Sequence, residues 1–211
     1  MTNVSSFPAG SLRIDPTTST PCAAKLGAGL IASATPTEQA TFLSELPGDV
    51  VRALPYLFEF WALPHQLPPT GEWRTWMVLG GRGAGKTRAG AEWVRAQVEG
   101  AGPQDTGPCS RIALVGETFD QARDVMVLGE SGIVACSPED RKPVWEASRR
   151  RLVWPNGAVA QVFSSHDFEG LRGPQFDGAW VDEIGCAAMD KATNQPNKFL
   201  DAKSSESALP K

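Results

Sequence analysis

Gly80-Gly81-Arg82-Gly83-Ala84-Gly85-Lys86-Thr87 fits G-x-x-x-x-G-K-[ST], the glycine loop that cradles phosphates. Because the bare pattern occurs by chance, its flanks decide the reading. Thr75-Trp76-Met77-Val78-Leu79 runs into it as a short apolar, β-rich stretch. Residues 87–98 after it read as a helix, with Ala89, Ala91, Trp93, Val94 and Val98 at its apolar positions and Gly100 where a C-terminal cap is expected. Strand, glycine loop and helix in that order are the context the motif requires. A glycine-rich turn without ligand is the plain alternative.

The residue types suit the chemistry. A triphosphate needs several backbone N–H donors close together and a helix N-terminus aimed at negative charge, and glycines let the backbone approach it. Lys86 is then expected to reach the β and γ phosphates of ATP as a compact cation, and the Thr87 hydroxyl to ligate the accompanying Mg²⁺.

The chain has 211 residues, 41% of them hydrophobic, enough for one sizeable core and no large multidomain machine. A net charge of -4 carries no global basic signature, so any nucleic-acid contact has to be local or made by a partner. Cys22, Cys109, Cys136 and Cys186 are widely spaced without a C-x-x-C pair. With His65 and His166 the only histidines, no zinc cluster is expected. There is no apolar run of about 20 residues and no signal-peptide start, so a cytoplasmic protein without membrane attachment is expected.

Residues 1–34 are rich in Ser, Thr, Pro, Ala and Gly and read as a mobile tail, with a short helix over 22–31 as the alternative. Thr35-Pro36-Thr37-Glu38 reads as a capping box with proline in the first helical position, and Pro47 ends that helix. Short helices over 49–54 and 56–62 follow, and residues 35–70 are expected to dock on the ATPase unit of 71–184. Gln66, shortly upstream of the glycine loop, has an amide able to donate to and accept from an adenine edge; a solvated loop residue is the alternative.

Arg111-Ile112-Ala113-Leu114-Val115-Gly116 reads as a buried strand, Thr118-Phe119-Asp120-Gln121 as the start of a helix to about Leu128. The β-α-β-α order predicts a parallel sheet with flanking helices. Residues 149–163 read as strand, turn and strand about Pro155-Asn156-Gly157. Arg141, Lys142, Arg149, Arg150 and Arg151 make the one basic cluster, partly on this hairpin, either a solvated face or a phosphate contact from DNA or a neighbouring subunit's nucleotide. Ala179-Trp180-Val181-Asp182-Glu183 is an apolar strand ending in acids. Asp182 is placed to hold magnesium through water and Glu183 to orient and deprotonate the water that attacks the γ-phosphate; two carboxylates on a solvated turn are the alternative.

Residues 55–183 resemble the N-terminal ATPase part of a tailed-phage large terminase subunit, and most of all the versions found in gene transfer agents. The matching stretches are 61–69, the Walker A loop with its helix over 80–94, and Leu171-Arg172-Gly173-Pro174-Gln175-Phe176-Asp177 leading into the Walker B acids Asp182 and Glu183. The resemblance implies a P-loop NTPase of the additional-strand catalytic glutamate type, with strand order 5-1-4-3-2. It implies Gln66 in adenine recognition, Arg82 as a sensor of the γ-phosphate beside Lys86, and Arg172 as a candidate for coupling or for a bond to the nucleotide site, with pairing to Asp177 or a strand terminus as the alternative. Double-stranded DNA, a portal, a small terminase subunit and a homo-oligomeric ring are the partners it implies.

From Gly185 onward the sequence departs from that family. Later sheet strands, coupling motif and nuclease domain are missing, and residues 185–211 read as a disordered, non-terminase tail. The expectation is an ATPase unit truncated after the Walker B strand. The P-loop strand then lacks lateral partners, at about 1–3 kcal/mol for each ladder group left buried and unpaired. A non-catalytic remnant that binds nucleotide or partners without turnover is the alternative function.

Overall fold

Every residue of β1 (Arg111–Gly116) after the first is buried, as expected of a strand covered on both faces. The computed structural model describes residues 27–171, 173–182, 189–190 and 195–196. β1 pairs in parallel with β4 (Val159–Ser164) on one side and β5 (Gly178–Val181) on the other. β3 (Arg151–Val153) runs antiparallel to β4, and β2 (Val144–Glu146) antiparallel to β3, giving the order β2-β3-β4-β1-β5.

The chain is therefore α/β with a mixed sheet, where a parallel one was expected. The cause is the turn at Pro155-Asn156-Gly157. Gly157 takes φ 86°, its N–H donates to the Trp154 carbonyl, and the Trp154 N–H donates to the Ala158 carbonyl, both at 2.9 Å. So tight a turn returns the chain beside itself, and β3 and β4 must be antiparallel.

Alternation along β1 divides the core. Ile112 and Leu114 join Ala91, Val94 and Val98 of the helix Lys86–Val98, together with Met126, Ile133 and Trp180. Ala113 and Val115 lie in a thinner cluster with Phe163, flanked by Leu171, Phe176 and Val181. The expected helix after Thr118 is present as Phe119–Gln121, capped by the Thr118 hydroxyl, and continues as a π-helical segment over Ala122–Val127.

The helix Lys86–Val98 also buries charge. Glu92 and Arg95 are only 6% and 7% exposed. They are tolerated because Arg95 Nη1 donates to Glu92 at 2.7 Å, Arg95 Nε to Glu99 at 3.0 Å, and Arg88 pairs with Glu92 at 2.6 Å. Burial pushes the Glu92 carboxyl above its ordinary range, against the pull of Arg95 and Arg88. The expected cap at Gly100 is not formed: Glu99 ends the helix in extended backbone, its N–H bonded to the Arg95 carbonyl. Gly100 instead admits Asp105, whose Cβ would be 2.6 Å from a side chain placed there.

Upstream, Pro36–Glu45 starts with the expected capping box. Thr35 Oγ1 accepts from the Glu38 N–H, and the Thr35 N–H donates to the Glu38 carboxylate at 2.8 Å. Gly48–Ala53 and Phe58–Trp61 are the next two short helices. Gly27–Ser33 is helical too, so the end of the stretch read as a tail is ordered in part as its helical alternative; its Gly27 packs against the Phe60 ring.

One sequence expectation fails at the centre of the argument. Residues 75–79 form no strand, and Met77 and Leu79 are 57% and 81% exposed. Among the described residues no strand lies on the outer edge of β5, and residues 75–79 do not take that place. Their backbone groups stay in water, which avoids the penalty of burying them unpaired. Part of the segment expected to be disordered forms a two-stranded pair, β6 (Met189–Asp190) with β7 (Gln195–Pro196).

Candidate functional site

Gly85 precedes the helix Lys86–Val98 in left-handed backbone, φ 74°, and Gly83 takes φ 81°. A β-carbon at either position would cost about 1–2 kcal/mol, which explains glycine there. The first N–H groups of the helix that follows have no intrahelical acceptor and are available to an anion. Lys86 folds back over the loop, its Nζ donating to the Gly80 carbonyl at 2.8 Å and the Gly81 carbonyl at 2.9 Å. A phosphate oxygen offers that ammonium a stronger, charged acceptor than either carbonyl.

Two contacts set the direction of the helix on the sheet. Gly90 lies against the Trp180 indole so closely that a β-carbon would overlap the ring, and Gly178 lies against Trp93, 3.2 Å from a β-carbon placed there. As the helix advances from 90 to 93, β5 is read backwards from 180 to 178. The helix N-terminus, with Lys86 and Thr87, is therefore directed to the end of β5 at which Asp182 follows. The Asp182 N–H donates to the Val115 carbonyl at 2.9 Å, carrying the ladder one residue past β5. Gly80, Arg82, Gly83, Ala84, Gly85, Lys86, Thr87 and Asp182 line one cleft, together with residues 73–79.

Arg82 is exposed at the loop tip, and Thr87 is half-buried. Glu183 and Arg172 lie outside the described residues. The loop amides, the Lys86 ammonium, the Thr87 hydroxyl and the Asp182 carboxylate form a donor set suited to a nucleoside triphosphate with Mg²⁺: cations and N–H groups for phosphate, hard oxygens for the metal.

Gln66 is brought to the loop through its backbone. It ends the 3₁₀ turn Pro64–Gln66, its Oε1 accepts from the Leu63 N–H at 2.8 Å, and its Nε2 donates to the Ala84 carbonyl at 3.3 Å. A side chain at Gly85 would collide with that amide. One donor and one acceptor site of the amide remain for a ligand. Pro55, Phe58, Trp61 and Arg88 enclose a small cavity with it, and Arg88 lies over the Phe58 ring at 5.9 Å.

Sequence reasoning missed three features of this region. Arg88 joins the upstream helices to Glu92, a link signalled only by its i, i+4 spacing. Asp177 accepts from the Ser110 N–H at 2.8 Å and the Arg111 N–H at 2.9 Å, clamping the entry of β1 to that of β5. These backbone donors hold its carboxyl below the usual range. The Gly90–Trp180 contact left no local sign at all.

Residues 77–196 match the family described as the N-terminal part of the T4-like-virus-type terminase large subunit. The match covers more than half of the 211 residues and runs past the departure expected at Gly185. No match was found among curated proteins or among solved structures. With the loop, its helix and the acidic strand all inside the matched stretch, the chain belongs to the terminase large-subunit family, in its T4-like N-terminal part.

Proposed function

We propose that the chain binds Mg²⁺-ATP at the 80–87 loop and hydrolyses it as the motor domain of a phage-type large terminase that packages double-stranded DNA into capsids. The observation that carries this reading is the packing of Gly90 on Trp180, which directs Lys86 and Thr87 to the end of β5 where Asp182 stands. In this reading Lys86 neutralises the β and γ phosphates, Thr87 and Asp182 hold the Mg²⁺, and Arg82 senses the γ-phosphate. Glu183 is assigned the attacking water, and Gln66 the adenine edge through the amide positions left to it. The fold assigned is the P-loop NTPase of the additional-strand glutamate type. Portal, small terminase subunit and a ring of identical copies are the assemblies it serves, in the cytoplasm of a bacterial or phage-infected cell.

The exposed 75–79 stretch favours a second reading, in which the chain binds nucleotide or partners without turnover. Melting of the purified protein with and without Mg²⁺-ATP, beside Lys86→Ala, tests binding. Ligand at 100 times its dissociation constant adds about 2.7 kcal/mol when only the folded state binds it. The expected result is a shift in the parent and none in the variant. ATP turnover that disappears in Glu183→Gln and rises with duplex DNA supports the motor; a melting shift without turnover supports the second reading.

A further inference from the structure

Arg149, Arg150 and Arg151 follow one another on the turn into β3, and only the middle one has no partner of opposite charge among the described residues. Arg151 Nε donates to Glu146 at 2.7 Å, and Arg149 Nη1 lies 3.8 Å from the same carboxylate. Arg150 is exposed, and its guanidinium lies over the Phe119 ring, 4.5 Å from the centroid. That ring is in turn stacked with Trp145, their centroids 6.4 Å apart. Arg123, the other arginine near Phe119, is neutralised by Asp120 at 2.9 Å and Asp124 at 2.7 Å.

The backbone at this position would suit glycine. Arg150 is the one residue other than glycine with positive φ among those described, at φ 54°, ψ 45°. Left-handed backbone costs a residue with a β-carbon about 1–2 kcal/mol, a strain that glycine would remove. The position closes the connection between β2 and β3, the Arg150 N–H donating to the Ala147 carbonyl at 3.3 Å, where a left-handed residue is usual and glycine is preferred. Arg150 carries that strain while contributing no ion pair to the fold.

The topology says where this guanidinium stands. The Val162 N–H donates to the Arg150 carbonyl at 2.9 Å, and Val162 is level with Leu114 of β1 and, through it, with Trp180 of β5. The turn before Arg150 therefore lies at the C-terminal rim of the parallel strands, the rim that also holds Asp182. Three strand spacings place β3 about 14 Å from β5, the strand that leads to Asp182.

We infer that Arg150, stacked on Phe119, is a contact for the phosphodiester backbone of duplex DNA. A guanidinium held by its face keeps its N–H edge for bidentate contact with phosphate oxygens. Duplex DNA presents such charges about every 1.7 Å along its axis. The choice of duplex DNA rests on the packaging reading, but the contact is tested without nucleotide, so failure of ATP binding leaves its result unaffected.

The experiment measures the affinity of the full chain for a fluorescent duplex across a salt series, in the parent, Arg150→Gly and Arg150→Lys, with melting in parallel. Glycine relieves the positive φ, so Arg150→Gly is expected to melt no lower than the parent and yet bind the duplex severalfold more weakly. Its slope of log K against log salt is expected to fall by about 0.9, the value of one lost phosphate contact. Arg150→Lys is expected to keep the slope while losing affinity. A parent that does not bind the duplex, or an Arg150→Gly that binds with the parent's affinity and slope, overturns the inference. So does loss of ATP turnover in Arg150→Gly with duplex binding intact, which would assign the guanidinium to the nucleotide of this chain or of a neighbouring copy.

Discussion

Gly90 and Trp180 are in direct contact: the indole of the strand that leads to Asp182 occupies the space where the helix after the glycine loop would carry a side chain. Ninety residues separate them in the chain. Their contact fixes how far along β5 the helix sits, and with it the approach of Lys86 and Thr87 to Asp182.

Replacing Gly90 with alanine is the direct probe of this contact. Alanine favours the helix by about 1 kcal/mol, but overpacking against a buried indole costs about 1–3 kcal/mol. A net loss of up to about 2 kcal/mol is expected in chemical denaturation, with weaker Mg²⁺-ATP binding. A variant more stable than the parent by the full helix-propensity gain would show that the helix does not rest on Trp180.

Residues 75–79 should exchange their amide hydrogens rapidly, because no strand accepts from them, while Ile112 and Leu114 in the centre of the sheet should be strongly protected. Hydrogen exchange read by mass spectrometry compares the two peptides directly. Equal protection would mean that 75–79 is paired in solution.

Asp177→Asn should lower the melting temperature at pH 7, since the backbone donors of Ser110 and Arg111 favour the ionised carboxylate. The sign follows from the lowered folded value. The stabilisation is complete above the ordinary aspartate range near pH 3.9 and is lost as pH falls through the folded pKa. Melting curves of the two proteins should therefore converge in acid. A gap that stays unchanged however far the pH is lowered would assign the effect to shape rather than charge.

Burial pushes the Cys136 thiol up to about 11. Alkylating reagents act on the thiolate, so at pH 8 Cys136 should remain unmodified in the native protein and react once denaturant is added. Peptide mapping after a maleimide pulse reads the outcome, with the half-buried Cys109 as the internal comparison. Prompt native labelling of Cys136 would show that the core around Ile133 opens readily.

Local chemistry was legible along the chain wherever a short-range rule governs it. Thr35 and Glu38 specify a capping box within four residues, the apolar run of 111–116 a buried strand, and Pro155-Asn156-Gly157 a hairpin. In the loop of 80–87 the glycines at 83 and 85 do take the positive φ that a tight glycine loop demands. The residues 75–79 have the composition of a strand and still do not form one. A strand exists only where another strand supplies its hydrogen bonds, and no composition encodes whether that edge is offered. Likewise Asp177 and Ser110, or Gly90 and Trp180, are partners across many tens of residues, joined because the β1–β5 register and the helix lying over it bring them within contact. Which residues can bind phosphate is set by side-chain chemistry and local spacing; which of them face one another across the cleft is set by packing over long sequence distances, where each contact exists only because the others do.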